Sequence, residues 1–361
     1  MYTATYNIIG VMSGTSLDGV DLAHLHFTLK EGKWSYTILE SETVPYSDEW
    51  VMQLKSAVGF SEAELVTLND NYTVLLGSII KNFIATNAIL HIDAVCSHGH
   101  TILHQPQQGF TLQIGNLPEL ARLISEKVVC DFRVQDVALG GQGAPLVPIG
   151  DRLLFSDHDF CLNLGGFSNI SFEERNNRIA FDISPVNTVL NFYANQLGFA
   201  YDDKGNIARS GTIHQELFAA LNALEYYKKS YPKSLGIEFV KEIVLPLMES
   251  YAIRTADKMR TFSEHIALQI GLALDDFVVT ARLPKKMLVT GGGAYNDFIL
   301  GRVGYYLPNL EIIVPDAKTL EFKEALIFGL LGVLKLRGEI NVLSSVTGAS
   351  ENHSSGVIFN D

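Results

Sequence analysis

Apolar and polar residues alternate along this chain with two different periods. Ala23, Leu25 and Phe27 are separated by polar residues, a period of two that predicts a strand with one buried face. Short apolar runs predict further strands over residues 7–12, 94–97, 128–131 and 287–290. Apolar positions at helical spacing predict helices over residues 48–58, 65–87, 118–127 and 323–336. Strands and helices that alternate from end to end indicate an α/β fold.

A glycine-rich segment over residues 138–145, Ala-Leu-Gly-Gly-Gln-Gly-Ala-Pro, has the composition of a flexible junction. A chain of 361 residues is also too long for one ordinary core and suits two lobes with a cleft between them. We therefore predict an N-terminal lobe of residues 1–135 plus about 340–361, and a C-terminal lobe of residues 136–339. The small, polar residues of 344–361 predict a surface segment.

Composition and charge exclude several classes of protein. Hydrophobic residues make up 47% of the chain and charged residues 19%, which is typical of a globular protein and not of a disordered one. The net charge is −13 and Lys and Arg form no cluster, so we expect no nucleic-acid partner. An acidic protein still binds a nucleotide when backbone N–H groups and magnesium hold the phosphates.

The sequence also predicts where the protein resides. The N-terminus lacks a basic region followed by an apolar stretch, and the longest apolar run, 326–334, is far shorter than the ~20 residues of a membrane helix. The cysteines are far apart, which favours buried, reduced thiols; they are Cys96, Cys130 and Cys161. We therefore expect a soluble, cytoplasmic protein with no membrane partner.

The segment Ser-Gly-Thr-Ser-Leu-Asp-Gly-Val-Asp, residues 13–21, lies between two predicted strands. Asp18-Gly19 predicts a hairpin turn. Val20 and Asp21 stand where a P-loop has Lys and Ser or Thr, so we exclude a P-loop. Backbone amides and hydroxyls of such a hairpin suit phosphate oxygens, and Asp18 could hold Mg²⁺ through water. The candidates are Ser13, Gly14, Thr15, Ser16, Asp18 and Gly19; a plain hairpin is the alternative.

Two further glycine loops follow. A second hairpin offers Gly165, Gly166, Ser168 and Asn169, and the third loop, Gly291, Gly292 and Gly293, joins a strand to a helix predicted to begin near Asn296. A dinucleotide fingerprint would need glycine at 296, so we exclude it. Two hairpins and a late strand–glycine–helix loop resemble the layout of actin, hexokinase and the heat-shock ATPases. This resemblance implies a ribonuclease H-like, two-lobed fold with ATP in the cleft between lobes.

A series of longer motifs resembles one family of sugar kinases over nearly the whole chain. They are Gly-Val-Met-Ser-Gly-Thr-Ser-Leu-Asp-Gly-Val-Asp (10–21), Ser-His-Gly-His-Thr (97–101), Thr-Leu-Gln-Ile-Gly-Asn (111–116), Asp-Phe-Arg (131–133), Gly-Gly-Gln-Gly-Ala-Pro (140–145), Leu-Gly-Gly-Phe-Ser-Asn (164–169), Phe-Asp (181–182), Thr-Gly-Gly-Gly (290–293) and Ser-Val-Thr-Gly-Ala (345–349). The family is that of anhydro-N-acetylmuramic acid kinases. The resemblance implies that ATP and Mg²⁺ are used to convert 1,6-anhydro-N-acetylmuramic acid to N-acetylmuramic acid 6-phosphate in cell-wall recycling, with hydrolytic ring opening. It also suggests a homodimer.

The resemblance implies a catalytic role for Asp182, which would take a proton from the water that attacks the anomeric carbon. A helix follows it, so an N-cap of that helix is the alternative. The family usually reads Asp-Thr-Gly-Pro-Gly/Ala-Asn here, whereas this chain has Asp-Ile-Ser-Pro-Val-Asn over residues 182–187. We expect Ser184 and Val186 to thicken a loop beside the substrate. A second departure is His100, where the family usually has Gln.

The same resemblance implies a set of residues that bind the sugar: His98, Thr101, Arg133, Asn187 and Glu324. Arg133 suits the lactyl carboxylate of a muramic sugar, since a guanidinium donates two parallel hydrogen bonds; a salt bridge to Asp131 or Asp136 is the alternative. Glu324 either caps its helix or faces the sugar.

Other interpretations remain open at this level. His98, His100 and His104 could form a zinc site, but no cysteine or paired carboxylate completes the ligand set. Residues 201–205 predict an exposed turn. The protein could instead be an ordinary hexose or amino-sugar kinase, in which Asp182 deprotonates the sugar hydroxyl, or an actin-like protein that uses ATP as a switch.

Overall fold

Contacts within the chain divide it at two points, after Leu154 and before Phe322. The structure, a computed structural model, describes residues 3–279 and 284–360. One unit contains the chain up to Leu154 and from Phe322 onward, and the other unit is Phe155–Glu321. The sequence analysis placed these junctions at 135/136 and near 340. Residues 136–154 and 322–339 join the first unit because their helices pack together: a Cβ on Gly150 would lie 2.7 Å from Ile327.

Twelve strands are present in the described residues. They are β1 (Thr3–Ser13), β2 (Gly19–Lys30), β3 (Lys33–Pro45), β4 (Ala94–Gln105), β5 (Phe110–Ile114), β6 (Val128–Cys130), β7 (Phe160–Leu164), β8 (Phe167–Glu174), β9 (Asn177–Pro185), β10 (Lys285–Thr290), β11 (Leu310–Ile313) and β12 (Val357–Phe359).

Fourteen α-helical segments lie between them. They are α1 (Asp48–Ser56), α2 (Glu62–Thr86), α3 (Glu119–Ile124), α4 (Val134–Ala138), α5 (Pro148–Leu154), α6 (Asn187–Gln196), α7 (Asn206–Ser210), α8 (Gln215–Asn222), α9 (Ile237–Phe239), α10 (Leu245–Glu249), α11 (Thr255–Val279), α12 (Asp297–Tyr306), α13 (Ala317–Leu336) and α14 (Ser344–Thr347). Short 3₁₀ turns cover Ala57–Gly59, Pro106–Gln108, Asp203–Gly205, Glu225–Lys228 and Gly292–Tyr295, and Val240–Val244 is a π turn.

The two units contain sheets with the same strand order. In the first sheet, β3, β2 and β1 form an antiparallel meander, and β4 and β6 continue from β1 in parallel; β12 extends the far edge and β5 pairs with β4. In the second sheet, β9, β8 and β7 form the meander, and β10 and β11 continue in parallel. The order is therefore β3-β2-β1-β4-β6 in the first unit and β9-β8-β7-β10-β11 in the second: a three-stranded meander followed by two parallel strands, as in a ribonuclease H-like domain, the fold that the resemblance implied.

Glycines allow α13 to pack closely against one face of the first sheet. A Cβ on Gly10 of β1 would overlap the carbonyl oxygen of Ala325, and a Cβ on Gly332 would overlap Sγ of Cys96 on β4. Helical geometry is interrupted at Phe322, with φ −107° and ψ 17°, where the chain returns to the first unit. The predicted apolar helix over 323–336 is confirmed as the longer part of α13.

The opposite face of the first sheet packs against α2 and α3. Serine 61 caps α2 in a reciprocal pair with Glu64, which fixes where this 25-residue helix begins. The buried side chains on this face include Ile9, Val11, Leu22, Val95, Leu68, Tyr72, Leu76, Ile80 and Leu120. In the second unit, the sheet packs against α6, α11 and α12, with Leu162, Phe172, Tyr193, Phe262, Ile266 and Ile299 in one core.

The C-terminal segment is a surface segment only in part, because several of its residues are buried within the first unit. Thr347 donates from Oγ1 to Oδ1 of Asp136 (2.7 Å), and Ser355 donates from Oγ to the carbonyl of Phe132 (2.7 Å). Thr347, His353 and Ser355 are buried. Small polar residues favoured exposure, but the hydroxyls of Thr347 and Ser355 satisfy buried acceptors in α4 and in the turn just before it.

The cysteines are buried, as their spacing favoured. Cys96, Cys130 and Cys161 form no disulfide within the described residues, and burial raises the pKa of Cys96 and Cys130 above the usual thiol range. Within residues 3–279 and 284–360, no helix combines the length and the apolar character that crossing a membrane requires.

Candidate active site

The connection between β1 and β2 is a tight turn of residues 14–18. Leu17 donates from its main-chain N–H to the carbonyl of Gly14 (3.3 Å) and has left-handed backbone, with φ 63°. Ser16 donates from Oγ to Oδ1 of Asp18 (2.7 Å). Thr15, Ser16 and Asp18 are exposed, so a ligand can reach their polar atoms.

Gly19 and Ser13, both predicted to bind phosphate, have structural roles. Gly19 is the first residue of β2 and follows the turn that Leu17 N and the Gly14 carbonyl close; a Cβ on Gly19 would overlap the carbonyl of Val44 in β3. Ser13 is buried, and its Oγ lies 2.8 Å from Nδ1 of His100 and 2.6 Å from the hydroxyl of Tyr46. We therefore correct the assignment of the Ser13 hydroxyl, which is buried and bonded within the protein, whereas the contact with Val44 gives a second reason for glycine at position 19.

A chain of hydrogen bonds continues from Ser13 into the core. The hydroxyl of Tyr46 lies 2.6 Å from that of the fully buried Tyr72. Burial lowers the pKa of His100 to about 4, so its imidazole is neutral at physiological pH. His100 thus takes part in this series of hydrogen bonds as a neutral group, the chemical role that the amide of glutamine would have.

His98 and Arg133 form a direct pair in the first unit. Arg133 donates from Nε to Nε2 of His98 (2.7 Å) and from its NH1 group to the carbonyl of Gly143 (2.6 Å). Nδ1 of His98 lies 2.9 Å from the carbonyl of Gly99, so the neutral tautomer with the proton on Nδ1 satisfies both contacts. Burial and the Arg133 charge hold the pKa of His98 well below its usual value.

The salt bridge that was the alternative for Arg133 is not formed with Asp131 or Asp136 in the described residues. Asp136 instead accepts from Gly143 N (2.7 Å) and from Thr347. Burial lowers the pKa of Arg133 to about 10, and its NH2 group has no protein partner in the described chain. Arg133 therefore retains a donor group for a ligand.

Glu324 follows the interruption of α13 and does not cap the start of that helix. Solvent reaches its side chain, yet the surrounding protein still reduces its hydration. This lost hydration raises the pKa of Glu324, Asp21 and Asp18 raise it further, and Arg133 opposes them. The neighbouring Lys323 is buried and lies 2.8 Å from Oδ1 of the buried Asp151.

Thr101 and the three histidines nearby do not form a metal site. Thr101 is half-buried on β4 and accepts from Nε2 of Gln113 (3.4 Å). Nδ1 of His104 lies 3.0 Å from the hydroxyl of Thr111, whereas His98 and His100 contact Arg133 and Ser13. Across residues 3–279 and 284–360, His, Cys, Asp and Glu form no group of three suited to a metal ion.

In the second unit, the hairpin between β7 and β8 is closed by the start of α6. The carbonyls of Gly165 and Gly166 accept from the main-chain N–H groups of Asn187 (3.3 Å), Thr188 (3.3 Å) and Val186 (2.8 Å). Gly166 is exposed and Gly165 is half-buried. These contacts fix the hairpin to the helix and leave the two glycines at its tip.

Ser168 does not reach the surface of this hairpin, which corrects its assignment as a phosphate ligand. Its Oγ donates to the carbonyl of Ser184 (3.0 Å) and accepts from Ser184 N (3.0 Å), and both residues are fully buried. Val186 is also fully buried in the core of the unit. The expectation that Ser184 and Val186 thicken a loop beside the substrate is therefore wrong, because both side chains point into the protein.

Asp182 lies on β9 and is held by a later segment of the chain. Its Oδ2 accepts from Leu235 N (2.8 Å), its N–H donates to the carbonyl of Lys233 (3.2 Å), and its carbonyl accepts from the hydroxyl of Tyr226 (2.6 Å). Burial raises the pKa of Asp182, and the Leu235 hydrogen bond opposes that shift. The alternative role as an N-cap is wrong, because Val186 occupies the N-cap position of α6.

A row of polar residues crosses the second sheet to Asp182. Thr290 on β10 pairs with Asn163 on β7, Asn163 pairs with Asn169 on β8, and Asn169 pairs with Asp182. Directly paired residues point to the same face of a sheet, so these side chains share one face. Asn169, which we predicted at the ATP phosphates, is therefore a direct neighbour of Asp182. The sequence analysis did not identify Asn163.

The three glycines after β10 divide into two roles. Gly291 has φ +80°, and a Cβ on Gly293 would lie 2.7 Å from Cβ of Leu164, so both allow close packing against β7. Gly292 is exposed, and a Cβ there would meet only Nδ2 of Asn187, at 3.8 Å. Asn296 caps α12 by accepting from Ile299 N (3.0 Å), as the predicted helix start requires.

Gly292 opens into a cavity of about 820 Å³ within the second unit. The lining residues come from α6, the 201–204 turn and the glycine loop, and they are Asn187, Leu190, Asn191, Tyr201, Asp202, Asp203, Lys204, Gly292, Gly293, Ala294, Tyr295, Asn296, Asp297, Leu300, Val314 and Glu321. This volume suits a nucleoside. Asn187 thus lies beside the glycine loop of the second unit; the other predicted sugar ligands belong to the first unit.

The 201–204 turn is the part of this cavity that sequence analysis missed. Asp202 is buried and accepts from the N–H groups of Ile207 (2.7 Å) and Ala208 (3.0 Å), which holds the turn against α7. Tyr201 and Lys204 remain exposed. The prediction of an exposed turn is correct for them, but nothing in the local sequence indicates that the turn lines a cavity.

Comparisons with known proteins extend the resemblance to the whole chain. A family model for anhydro-N-acetylmuramic acid kinase matches residues 6–361. The enzyme of that name from Pseudomonas putida is 35% identical over 368 residues, covering 97% of this chain and 98% of the relative. The one from Pseudomonas syringae pv. syringae is 33% identical, with the same coverage. Component A of (R)-2-hydroxyglutaryl-CoA dehydratase from Acidaminococcus fermentans has a TM-score of 0.45 at 14% identity, covering 92% and 99% of the chains, which is too weak for an argument.

Proposed function

This chain belongs to the anhydro-N-acetylmuramic acid kinase family, and from that premise we propose that it converts 1,6-anhydro-N-acetylmuramic acid to N-acetylmuramic acid 6-phosphate with ATP and water. The observation that carries the proposal is the match of one family over residues 6–361. The activity is that of an ATP-dependent sugar kinase in the recycling of peptidoglycan.

We assign the nucleoside of ATP to the cavity lined by Gly292. Its exposed glycine allows a flat base to lie against the backbone, and the N-terminus of α12 favours nearby negative charge. The tips of the two hairpins, at Gly14–Ser16 and Gly165–Gly166, are the candidates for the phosphates, since Thr15, Ser16 and Gly166 are exposed.

Magnesium would bind mainly to the phosphates and to water. Asp18 fits as a ligand through water, because its carboxylate is exposed and oxygen ligands suit this hard cation. The ion would neutralise charge on the phosphoryl group that is transferred. Asp18 is paired only with the Ser16 hydroxyl in the described residues, so it can accept further hydrogen bonds from a hydrated ion.

Asp182 is the proposed general base. Its Oδ2 is held by Leu235, whereas Oδ1 accepts no hydrogen bond from the described residues and can accept the proton of a water. The water oxygen adds to the anomeric carbon, the C1–O6 bond breaks, and O6 takes the γ-phosphoryl group as ADP leaves. The raised pKa of Asp182 brings this carboxylate nearer to the operating pH, which favours proton transfer.

Arg133, His98, Thr101 and Glu324 are the proposed sugar ligands in the first unit. The NH2 group of Arg133 provides a charged donor for the lactyl carboxylate, and His98 fixes the guanidinium in place. Glu324 provides an acceptor for a sugar hydroxyl. We also propose a homodimer in the cytoplasm; light scattering on the purified protein tests the dimer.

The reaction is tested by mass spectrometry of the products in ¹⁸O-labelled water. We expect a product heavier than the substrate by one phosphoryl group and one labelled water. Asp182→Asn should lower kcat by about 10³-fold or more, because loss of the base removes proton transfer from the transition state. Asp70→Asn, at an exposed position on α2, is the matched control. Amino sugars that gain phosphate without water, while the anhydro sugar is unchanged, would establish an ordinary kinase instead.

A further inference from the structure

Asp182 depends on a segment far from it in sequence, residues 233–235. The segment contributes the carbonyl of Lys233 and the N–H of Leu235, so it contacts both the backbone and the carboxylate of Asp182. The Lys233 carbonyl holds the backbone of β9 at Asp182, and the Leu235 N–H holds the Asp182 carboxylate. Residues 233–235 therefore contact the residue that the proposed function assigns as the general base.

We propose that the main-chain N–H of Leu235 is a positioning group for catalysis: it anchors Oδ2 of Asp182 so that Oδ1 is presented to the attacking water. This inference rests on the proposed function. The 2.8 Å contact is the one hydrogen bond that the carboxylate accepts from the described chain. Without it, the carboxylate could rotate about its terminal torsion, whose energy profile is broad and only weakly restrains the side chain.

The same hydrogen bond has a consequence for the charge of the carboxylate. Burial already raises the pKa of Asp182, and the Leu235 hydrogen bond opposes that shift by stabilising the ionised carboxylate. Loss of this hydrogen bond should therefore raise the pKa of Asp182 further. The titratable residues that contact Asp182 are Tyr226, from the 3₁₀ turn, and Lys233 on the segment itself. Nζ of Lys233 lies over the Tyr226 ring, at 4.8 Å from its centroid.

The experiment removes the N–H and keeps the rest of the segment. Leu235→Pro deletes the donor, and an amide-to-ester replacement at position 235, with leucic acid, deletes it without a ring. Leu235→Ala retains the N–H and is the control for loss of the side chain. In each protein, the pKa of Asp182 is measured by ¹³C NMR with labelled aspartate, and the resonance is assigned by its loss in Asp182→Asn.

We expect the ester protein to show a pKa of Asp182 raised by about one unit, since hydrogen bonds to charged groups have this strength. The acidic limb of kcat/KM should move upward by the same amount, and kcat should fall about tenfold or more. Leu235→Ala should leave the Asp182 titration unchanged. If Leu235→Pro folds, it should show the same rise in the pKa of Asp182 and the same fall in kcat as the ester protein. If it does not fold, the ester protein alone tests the inference.

An unchanged Asp182 titration in the ester protein would overturn the inference, even with full activity on the anhydro sugar. A shifted titration with an unchanged kcat and pH profile would also overturn it, because the bond would then be structural only. If the unmodified protein leaves the anhydro sugar intact, the proposed function fails, and with it the catalytic part of the inference. The NMR titration still shows in that case whether the Leu235 bond controls Asp182.

Discussion

Nε of Arg133 donates a hydrogen bond to Nε2 of His98 (2.7 Å), so a charged guanidinium is held in place by a neutral imidazole. The carbonyl of Gly143 holds the NH1 group in the same way. The guanidinium is therefore fixed on two sides before any ligand arrives. A fixed donor loses less conformational freedom on binding than a mobile one.

Arg133→Lys should raise KM for the anhydro sugar, because one ammonium cannot replace the contacts to His98 and Gly143 and also bind the substrate. A charged hydrogen bond of about 1.5–3 kcal/mol corresponds to a loss of about 10–100-fold in kcat/KM. Steady-state kinetics with both substrates measures this, and KM for ATP should not change. Arg122→Lys, at an exposed arginine, is the control; an equal loss there would contradict the prediction.

His100→Gln should make folding stability less dependent on pH. An unfolded histidine binds a proton near pH 6.5, whereas burial lowers the pKa of His100 in the folded protein to about 4. The unfolded state then binds more protons between these values, so stability falls as pH falls through this range. We expect this group to remove about 1 kcal/mol between pH 7.5 and 5.5, and the variant to lack that loss.

Urea unfolding at the two pH values measures the difference for each protein. Other buried histidines, such as His265, contribute equally to both proteins and cancel. The same pH dependence in the variant and the unmodified protein would show that His100 binds its proton as readily in the folded state as in the unfolded one.

Adjacent glycines should respond differently to alanine. Gly292→Ala should weaken ATP binding with little change in Tm, since the new methyl group faces the cavity and meets no backbone. Gly293→Ala should lower Tm, because its Cβ would lie 2.7 Å from Leu164 Cβ and 2.9 Å from the Leu164 carbonyl, an overlap that costs about 1–3 kcal/mol. Nucleotide titration and thermal unfolding separate the two effects. A Gly292→Ala protein with unchanged ATP affinity would refute the cavity assignment.

Lys323→Met should destabilise the first unit by about 3–5 kcal/mol, because it removes the ammonium group that lies 2.8 Å from the buried carboxylate of Asp151. The double variant Lys323→Met, Asp151→Leu should regain much of this loss, since no buried charge remains. Chemical denaturation of the two variants measures the coupling. A double variant that is less stable than the single one would show that the pair stabilises the fold beyond its own desolvation cost.

The sequence was sufficient to predict the fold because its apolar periodicity and glycine loops are local. The predicted strands and helices agree with β1, β4, β6, β10, α1, α2 and α3, and Asn296 begins α12 where the glycine loop required a helix. The family motifs then supplied the roles that spacing alone does not. Neither source depends on contacts between distant residues.

What the sequence analysis missed in the site has one physical cause, which is contact with a residue distant along the chain. Ser168 has the composition of a phosphate ligand, but Ser184 on the neighbouring strand satisfies it. Asp18-Gly19 is a favourable turn dipeptide, but the structure requires glycine at position 19 because a Cβ would overlap the carbonyl of Val44 on β3. Leu235 has no polar side chain and was overlooked, since only its main-chain N–H contacts Asp182.

The second unit is inserted in the chain between two parts of the first unit, which affects the order in which the units can fold during synthesis. The second unit is a continuous stretch, Phe155–Glu321, whereas the first receives α13 and β12 from the end of the chain. On the ribosome, the unit that is begun second is therefore the first whose strands have all emerged. The face of the first sheet that α13 covers stays exposed until that helix has emerged, whereas the opposite face can pack earlier against α2 and α3.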